Sequence, residues 1–382
     1  DPFTLQVNGY TVKDAREMMA KNRVTGILIV DKNNKLVGIL TLRDIALESD
    51  DAKKITACMT PKNKLITVLR NTPLEKSREL LNKYKIEKLP IVDTDFKVCG
   101  LITSKDIVKS IENPNALKDK KGRLMVGAAI GVVGDYLDRA DDLVKAGVDV
   151  LVVDIAHGHS QHMIETVKIL KKRYSVDVIA GNVATKEGVR DLIRAGADAI
   201  KVGIGPGSMC TTRIITGCGY PQLSAIMECV ATAKKLKTPL IADGGIRYSG
   251  DITKAMAAGA SSVMIGSLLA GTDESPGMTM LRHGRKYKIA RGMASLGANM
   301  SKKNNEGGDS YGLKEYVAEG VEALVPYRGK VSEILNQLSG GLRSGMSYCG
   351  AKNISELWSK AKFIRITNAS LKEGFPHDVE VI

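Results

Sequence analysis

Three segments of the chain repeat one pattern, in which the end of a helix is followed by an Ala-Gly turn and a short apolar strand. The copies lie at residues 146–154, 195–203 and 258–266, and they read AGVDVLVVD, AGADAIKVG and AGASSVMIG. Short apolar runs that alternate with helical stretches are typical of buried parallel strands joined by helices. The pattern therefore predicts an α/β fold with a parallel sheet built from repeated strand-helix units.

The strands of this sheet are predicted near residues 124–130, 149–154, 177–181, 198–203, 239–243 and 262–266. Polar or small residues that could carry chemistry come directly after them, as they do in a (β/α)₈ TIM barrel. A doubly wound sheet is the alternative, although no strand is followed by a Gly-x-Gly-x-x-Gly turn with an acidic residue about twenty positions later. Because these strands are too few to close a barrel, we expect further strands before residue 1 and a chain truncated at its start, which has no initiator Met.

The N-terminal third contains an internal repeat with an offset of 62 residues, since GILTLRDI at 38–45 recurs as GLITSKDI at 100–107. Each copy predicts a helix, two strands and a second helix. The first helix and the two strands of the copies are predicted at 11–21, 26–30 and 36–40, and at 73–84, 89–92 and 98–102. One such unit cannot bury its own sheet, so the two copies are expected to pack together.

A polar linker at 112–123 separates the repeat from the parallel sheet. We therefore expect a first module at 1–50, a second module at 51–112 and a catalytic barrel portion at 113–382, into which the module pair is inserted. Within the catalytic portion, the polar and glycine-rich composition around 299–325 predicts a mobile flap.

The net charge of +14 comes from 56 Lys and Arg residues against 42 Asp and Glu residues. The positive residues are interleaved with acidic ones, and only 4% of all residues are aromatic, which leaves little for base stacking. Nucleic-acid binding is therefore the weaker interpretation. An enzyme that acts on phosphorylated small molecules explains the charge equally well.

The sequence has no run of apolar residues long enough for a membrane span and no basic or apolar leader at its start. We therefore expect neither a membrane protein nor a signal peptide. The six cysteines are scattered without paired spacing, which favours reduced thiols in a cytoplasmic protein.

Cys210 lies in a glycine-rich segment after the fourth predicted strand, where residues 205–210 read GPGSMC and Thr211, Thr212 and Arg213 follow. Glycines after a strand allow backbone amides and carbonyls to turn towards an ion or a phosphate. A cysteine in a polar loop becomes a thiolate nucleophile more readily than one in a core. The segment therefore predicts a nucleophilic Cys210 in a loop that handles a nucleotide.

Two later strand ends complete a mononucleotide pocket. The string IADGGI at 241–246 places Asp243 at a strand end, where a carboxylate can hold two ribose hydroxyls. The string MIGSL at 264–268 places Gly266 and Ser267 after the last strand, where TIM barrels bind phosphate with free amides. Glycines present only for tight packing between strands and helices are the alternative.

Polar residues also follow the second and third strands, where Asp154 and Asn182 are aimed at the same pocket. Three histidines, at 157, 159 and 162, come after Asp154. Their spacing does not place three ligands on one helix face, so a catalytic metal is the weaker interpretation. The string MASLG at 293–297 could lay backbone groups against a planar base.

Taken together, these segments resemble the IMP dehydrogenase / GMP reductase family over essentially the whole chain. The matching strings are GPGSMCTT at 205–212, ADGGI at 242–246, Gly266-Ser267 and PHDV at 376–379. The N-terminal repeat resembles a pair of CBS modules, which implies an adenine or guanine nucleotide bound between the copies and a regulatory role. A purely structural spacer is the alternative for this pair.

In this family a cysteine attacks C2 of a purine ring, and a hydride passes to or from a nicotinamide. The resemblance therefore implies NAD as cofactor and catalytic roles for Cys210, Thr212, Tyr311 and Glu319. It implies substrate contacts for Ser208, Asp243, Gly245, Gly266, Ser267, Met293, Ala294 and Glu319. It implies cofactor contacts for Asp154, Asn182 and Gly203. For the dehydrogenases it further implies a homotetramer and a K⁺ ion held by Gly205, Gly207, Cys210 and Glu373 of the partner subunit.

The flap sequence leaves the reaction open. The family's dehydrogenases activate water with an Arg-Tyr pair, and here Ser310 stands where the arginine is expected, beside Tyr311. A serine hydroxyl is a far poorer base, so hydrolysis should be slow unless Glu319 and Thr212 take over. Ser310 favours a reductase, whereas Leu296, where reductases carry a glutamate, favours a dehydrogenase.

The leading prediction is an NAD-dependent oxidation of IMP to XMP through a covalent Cys210 adduct, a step of guanine nucleotide biosynthesis. One alternative is the NADPH-dependent deamination of GMP to IMP. The other is a catalytically impaired nucleotide-binding homologue.

Overall fold

The computed structural model describes residues 2–120, 122–305 and 317–380. The chain divides into two compact units, Asp1–Leu124 and Met125–Ile382. The finer module boundaries expected at residues 50 and 112 stay predictions.

The first unit contains two small sheets, β1-β2-β3-β4 and β5-β6-β7. Its strands are β1 (Thr4–Gln6), β2 (Gly26–Val30), β3 (Leu36–Thr41), β4 (Thr60–Pro61), β5 (Val68–Leu69), β6 (Lys88–Val92) and β7 (Val98–Thr103). Its helices are α1 (Val12–Asn22), α2 (Leu42–Ile45), α3 (Leu74–Tyr84) and α4 (Ser104–Glu112). The helices and strands predicted for both copies of the repeat are present, with small shifts of their bounds.

A repeated Thr-x-x-Asp motif begins the second helix of each copy. At α4 the amide of Thr103 donates to Asp106 Oδ2 (2.9 Å), and the amide of Asp106 donates to Thr103 Oγ1 (3.2 Å). At α2 the amide of Thr41 donates to Asp44 Oδ2 (2.7 Å). These caps satisfy backbone donors that a helix start leaves free, which explains why the motif occurs in both copies.

The two copies share a core. Leu28 and Leu36 of the first copy are buried against Val92 of the second, and the amide of Leu36 donates to the carbonyl of Phe96 (3.0 Å). The prediction that the copies pack together is therefore confirmed.

The second unit is built around six parallel strands that follow one another in sequence order. They are β8 (Gly127–Ile130), β9 (Val150–Asp154), β10 (Asp177–Val183), β11 (Ala199–Val202), β12 (Leu240–Asp243) and β13 (Ser262–Met264). The helices between and beside them are α5 (Tyr136–Lys145), α6 (Gln161–Arg173), α7 (Lys186–Ala195), α8 (Thr212–Thr216), α9 (Gln222–Lys235) and α10 (Ser249–Ala257). This curled sheet is TIM-barrel-like, and the predicted fold class is confirmed.

The Ala-Gly turns bring each of three helices back onto the sheet. Their glycines, Gly147, Gly196 and Gly259, have φ angles of 89°, 108° and 115°. L side chains rarely adopt this region, so glycine is the residue that ends the helix there. The buried strands that follow carry Leu151 and Ile200 in the core.

A three-stranded antiparallel sheet, β14-β15-β16, lies beyond the parallel strands in sequence. It consists of β14 (Thr279–Arg282), β15 (Arg285–Arg291) and β16 (Glu322–Pro326). The remaining helices are α11 (Leu296–Asn305), α12 (Val331–Tyr348), α13 (Ile354–Lys360) and α14 (Asn368–Glu373). Within the described ranges, no helix is both long and apolar enough to cross a membrane.

Candidate active site

A cavity of about 740 Å³ lies in the second unit, at the carboxyl ends of β11, β12 and β13. Its volume falls within the usual range for small-molecule sites. The predicted site residues that line it are Gly207, Ser208, Cys210, Asp243, Gly245, Gly266, Ser267, Met293, Ala294 and Glu319. Segments far apart in the sequence therefore meet in one place, as the TIM-barrel interpretation requires.

The loop that carries Cys210 is fixed by backbone pairing with a distant segment. Cys210 forms an antiparallel bridge with Gly320. The amide of Thr211 donates to the carbonyl of Glu319 (2.8 Å), and the amide of Val321 donates to the carbonyl of Met209 (3.0 Å). Glu319 is thus held beside the cysteine by the main chain, independently of its own side chain.

A chain of hydrogen bonds leads from the cysteine to this carboxylate. Cys210 Sγ donates to Thr212 Oγ1 (3.1 Å), and Thr212 Oγ1 donates to Glu319 Oε2 (2.8 Å). A thiol becomes a strong nucleophile only when it loses its proton, and a carboxylate two bonds away can receive that proton. The arrangement can therefore support both nucleophilic attack and general base catalysis.

Cys229 shows the contrast with a structural cysteine. It is fully buried in α9, and burial raises the pKa of its thiol to about 12. Cys210 is half-buried, lines the cavity and has a proton acceptor within reach. Of these two thiols, only Cys210 is placed to react with a bound molecule.

Asp243 ends β12 and presents its carboxylate next to the cavity. Its Oδ2 accepts a hydrogen bond from Asn182 Nδ2 (3.0 Å) and one from the ammonium of Lys201. In the described part of the chain no hydrogen bond uses Asp243 Oδ1. Two fixed donors on one oxygen therefore orient the carboxylate and leave the other oxygen to accept a ligand hydroxyl.

Lys201 is the main site residue that the sequence analysis missed. It lies in β11 with 1% of its surface exposed, and its ammonium contacts both Asp154 (3.1 Å) and Asp243. The signal was available, because a lysine within an otherwise apolar strand that is buried on both faces is unusual and needs a charged partner.

Backbone amides of three lining residues are also available in the cavity. In the described residues, the amides of Ser208, Gly266 and Ser267 donate to no protein acceptor, which leaves them available for an anion. Gly245 differs, because its amide already donates to the carbonyl of Pro206 (3.1 Å).

The cavity lining does not include the three predicted cofactor residues, Asp154, Asn182 and Gly203. They lie close to Asp243 or to its partner Lys201. Asp154 is more exposed than Asp243 and pairs with Lys201. Asn182 also donates to the carbonyl of Gly203 (2.7 Å), and its Oδ1 is buried without a partner in the described residues. A Cβ at Gly203 would lie 2.1 Å from the carbonyl oxygen of Asp243, so only glycine fits there.

Other predicted residues are not brought into this cluster. Glu373 ends α14 and is exposed, and Ser310 and Tyr311 lie outside the described residues. Of the three histidines, His159 bonds to Asp191 Oδ2 (3.0 Å), whereas the others are exposed. In the ranges that the structure describes, no group of three or more His, Cys, Asp or Glu side chains could hold a metal ion.

The chain is similar to known proteins over almost its full length. A family model described as the IMP dehydrogenase / GMP reductase domain matches residues 12–377. Inosine-5'-monophosphate dehydrogenase from Aquifex aeolicus is 55% identical over 376 residues, which are 97% of this chain and 76% of that protein. The enzyme of the same name from Helicobacter pylori strain 26695 is 56% identical over 383 residues, 100% of this chain and 79% of that protein.

A solved structure is similar to the whole chain as well. It is the crystal structure of a GMP reductase variant from Trypanosoma brucei in complex with guanosine 5'-monophosphate. The TM-score is 0.88 at 44% sequence identity, and the match covers 100% of this chain and 80% of that one.

Proposed function

The chain belongs to the IMP dehydrogenase / GMP reductase family, and we propose that it catalyses the NAD-dependent oxidation of IMP to XMP. The relatives named as IMP dehydrogenases are more similar in sequence than the reductase whose structure matches. The observation that carries the proposal is the hydrogen-bonded chain from Cys210 through Thr212 to Glu319, which lies in the same cavity as Asp243 and the free amides.

The first chemical step is the addition of the Cys210 thiolate to C2 of the purine. Its proton passes through the Thr212 hydroxyl to the Glu319 carboxylate, along the bonds described above. The addition makes C2 tetrahedral, so that the hydrogen on C2 can leave as hydride. NAD⁺, when bound, supplies the acceptor for that hydride.

The second step is the hydrolysis of the purine-cysteine adduct. Water must add to C2 and lose a proton, after which the C2–S bond breaks and the thiolate is restored. We assign the base to Glu319, acting directly or through Thr212, because Ser310 supplies no arginine for this role. Glu319 first releases the proton from Cys210 to solvent, then takes the proton from water, and finally returns it to the restored thiolate. Tyr311, which lies outside the described residues, is proposed as a partner in this step.

Substrate contacts are proposed on chemical grounds. The free amides at Ser208, Gly266 and Ser267 suit the 5'-phosphate, and the unused oxygen of Asp243 suits the ribose hydroxyls. The amide of Gly245 already donates to Pro206, so Gly245 would leave room for the substrate, because it has no side chain, rather than donate a hydrogen bond to it. Met293 and Ala294, on the same cavity, would contact the base.

The cofactor is proposed to bind beside Asp154, Asn182 and Gly203, where the exposed carboxylate of Asp154 could meet its ribose. Asn182 and Gly203 would shape the site from behind, because Asn182 Oδ1 and Gly203 are buried. For a monovalent cation, Gly205, Gly207 and Cys210 offer carbonyl oxygens without a carboxylate, which suits K⁺ rather than Mg²⁺. The Gly207 carbonyl already accepts the Cys210 amide (3.1 Å) and keeps a second lone pair for an ion. Glu373 of the partner subunit would complete that site in a homotetramer.

A reductase remains the second candidate, because two observations favour it. The structure of the Trypanosoma brucei GMP reductase matches the whole chain, and Ser310 is tolerable in a reaction that needs no hydrolysis. The same relay would then deliver or remove a proton while GMP loses ammonia and receives hydride from NADPH.

Two absorbance assays of the nicotinamide cofactor test the proposal. One contains IMP, NAD⁺ and K⁺, and we expect NADH to form in it. The other contains GMP and NADPH, and oxidation of NADPH there without turnover in the first would contradict the dehydrogenase. Cys210→Ala is expected to abolish turnover and to leave IMP binding largely intact, whereas Cys218→Ala, an exposed cysteine outside the cavity lining, serves as control.

A second ligand site is proposed in the first unit, for an adenine or guanine nucleotide. A cavity of about 440 Å³ there has lining residues from both copies of the repeat. They include Thr41, Arg43, Asp44, Lys64, Lys85, Lys88 and Lys105. Burial lowers the pKa of Lys88, and the other basic residues make the cleft suitable for phosphates.

We also propose that the enzyme is cytoplasmic. All six cysteines are free thiols, including exposed ones, which suits a reducing compartment.

A further inference from the structure

Lys288 carries a buried ammonium group that is not part of the cavity lining. It lies in β15 with 3% of its surface exposed. Among the described residues no carboxylate forms an ion pair with it, although burying an unpaired charge costs free energy unless hydrogen bonds satisfy it. Groups other than carboxylates must therefore satisfy the hydrogen-bond donors of this ammonium.

Backbone carbonyls satisfy the ammonium. Lys288 Nζ donates to the carbonyl oxygens of Thr272 (2.7 Å), Asp273 (3.3 Å) and Ser275. All three carbonyls belong to one segment, which begins at Gly266, and we call residues 266–275 the phosphate-side turn. An ammonium has three N–H donors, so this turn supplies one acceptor for each.

The phosphate-side turn is a continuous run of tight backbone bonds. The amide of Leu269 donates to Gly266 (3.0 Å), the amide of Thr272 to Leu269 (3.1 Å), and the amide of Ser275 to Thr272 (3.2 Å). These consecutive bonds connect the carbonyls that bind Lys288 to Gly266 and to the free amides beside it.

The turn and the residues just after it also lie directly against the antiparallel sheet. A Cβ at Gly271 would be 2.1 Å from the carbonyl oxygen of Pro326, and a Cβ at Gly277 would be 2.1 Å from that of Ile289. Strand β15 then continues into Gly292, Met293 and Ala294, which also line the cavity. Lys288 therefore joins the segment that carries the free amides of Gly266 and Ser267 to the strand that leads into Gly292.

We infer that Lys288 is a positioning residue for the 5'-phosphate of the bound nucleotide. It sets the position of the phosphate-side turn relative to Gly292, and through that turn the position of the amides of Gly266 and Ser267. This inference rests on the proposed nucleotide site, and it adds a residue that does not touch the nucleotide itself.

The test compares a nucleotide with its nucleoside. IMP and inosine are titrated calorimetrically into the full chain and into Lys288→Met and Lys288→Gln. We expect the Kd for IMP to rise by about tenfold or more, and the Kd for inosine to change by less than about twofold. Lys286→Met, an exposed lysine on the same strand, is the matched control and should change neither. An equal loss for both ligands, or none for IMP, would overturn the inference.

A measurement on the unsubstituted chain covers the case in which both variants fail to fold. IMP should slow hydrogen exchange in a peptide that spans 266–275, and inosine should not. Equal protection by both ligands would overturn the inference. A chain that binds IMP in this way but forms no NADH refutes only the proposed reaction, so the two failures are distinguishable.

Discussion

The thiol of Cys210, the hydroxyl of Thr212 and the carboxylate of Glu319 act as a unit, because each is useful only when the next can take a proton. The two hydrogen bonds between them depend on a main-chain bridge at Gly320, which holds Glu319 beside the cysteine loop. This relay matters most for the hydrolysis step, where a base must act after the cofactor has accepted its hydride.

Thr212→Val tests the relay at the scale of one hydroxyl. Valine keeps the shape of the side chain but cannot pass a proton, so kcat should fall by about 10²-fold or more while the Kd for IMP changes little. Rapid mixing with IMP and NAD⁺ should show that the first NADH also forms more slowly than in the unsubstituted chain, because the Cys210 proton leaves through the same hydroxyl. A kcat within about twofold of the unsubstituted chain would contradict the relay.

Ser310→Arg is the complementary change. If the arginine of the family's dehydrogenases can act here, this substitution should partly restore turnover to Glu319→Gln, whose base is lost. The comparison is made between Glu319→Gln alone and the double variant, and Ser310→Ala in the same background is the control. No gain in the double variant would mean that the residues around position 310 cannot supply a base.

Lys201→Met tests the buried charge between the two strand-end carboxylates. Methionine keeps most of the apolar stem, so the loss is that of the ammonium, and Asp154 and Asp243 are left to repel each other. The free energy of unfolding should fall by about 3 kcal/mol, as it does when one partner of a buried pair is removed. Lys171→Met, which breaks a more exposed pair with Asp198, should cost less than about 1 kcal/mol. Urea denaturation measures both.

At the scale of elements, the parallel strands could be predicted because each is a local apolar run that begins after an Ala-Gly turn. The antiparallel sheet could not, since β15 has a charged sequence and pairs with β16 only after the chain has passed through α11. The residues of the site could be predicted where they belong to local sequence motifs. The contact of Glu319 with the Cys210 loop could not, because it joins residues far apart in the sequence and no spacing reveals it. The sequence shows Lys201 as a charge in an apolar strand, but the partners of Lys201 and Lys288 come from other strands and turns and cannot be predicted from spacing.

A hydrogen bond between His159, in the loop after β9, and Asp191, in α7, connects these two elements in a way that depends on pH. Hydrogen bonds from Arg190 and from His159 lower the pKa of Asp191 from 3.8 to about 2. A carboxyl group whose pKa is lower in the folded state stabilises the fold fully above about pH 4, and the effect is lost as the pH falls towards 2. Asp191→Asn should therefore lower Tm by about 2–4 °C at neutral pH and have little effect near pH 2. Asp138→Asn, which changes an exposed carboxylate, is the control. The test is to measure Tm of the unsubstituted chain and of both variants from neutral pH down to about pH 2.

At the scale of the whole molecule, the chain contains separate hydrophobic cores. Among the described residues, one core joins the parallel strands and their helices, and three smaller ones lie within the first unit. Each unit also has its own proposed ligand cavity, one for IMP and one for an adenine or guanine nucleotide. A ligand that binds only the folded form of one unit raises the transition temperature of that unit.

Calorimetric melting should therefore show two transitions that respond to different ligands. IMP should raise the transition of the unit Met125–Ile382, and ATP or GTP should raise that of Asp1–Leu124, because each binds a cavity in one core only. Lys64→Glu, which reverses a charge in the smaller cavity, should abolish the second shift and leave the shift caused by IMP. A single transition raised by both ligands would show that the cores melt together, and no shift with either ATP or GTP would favour the structural spacer over a nucleotide site in the first unit.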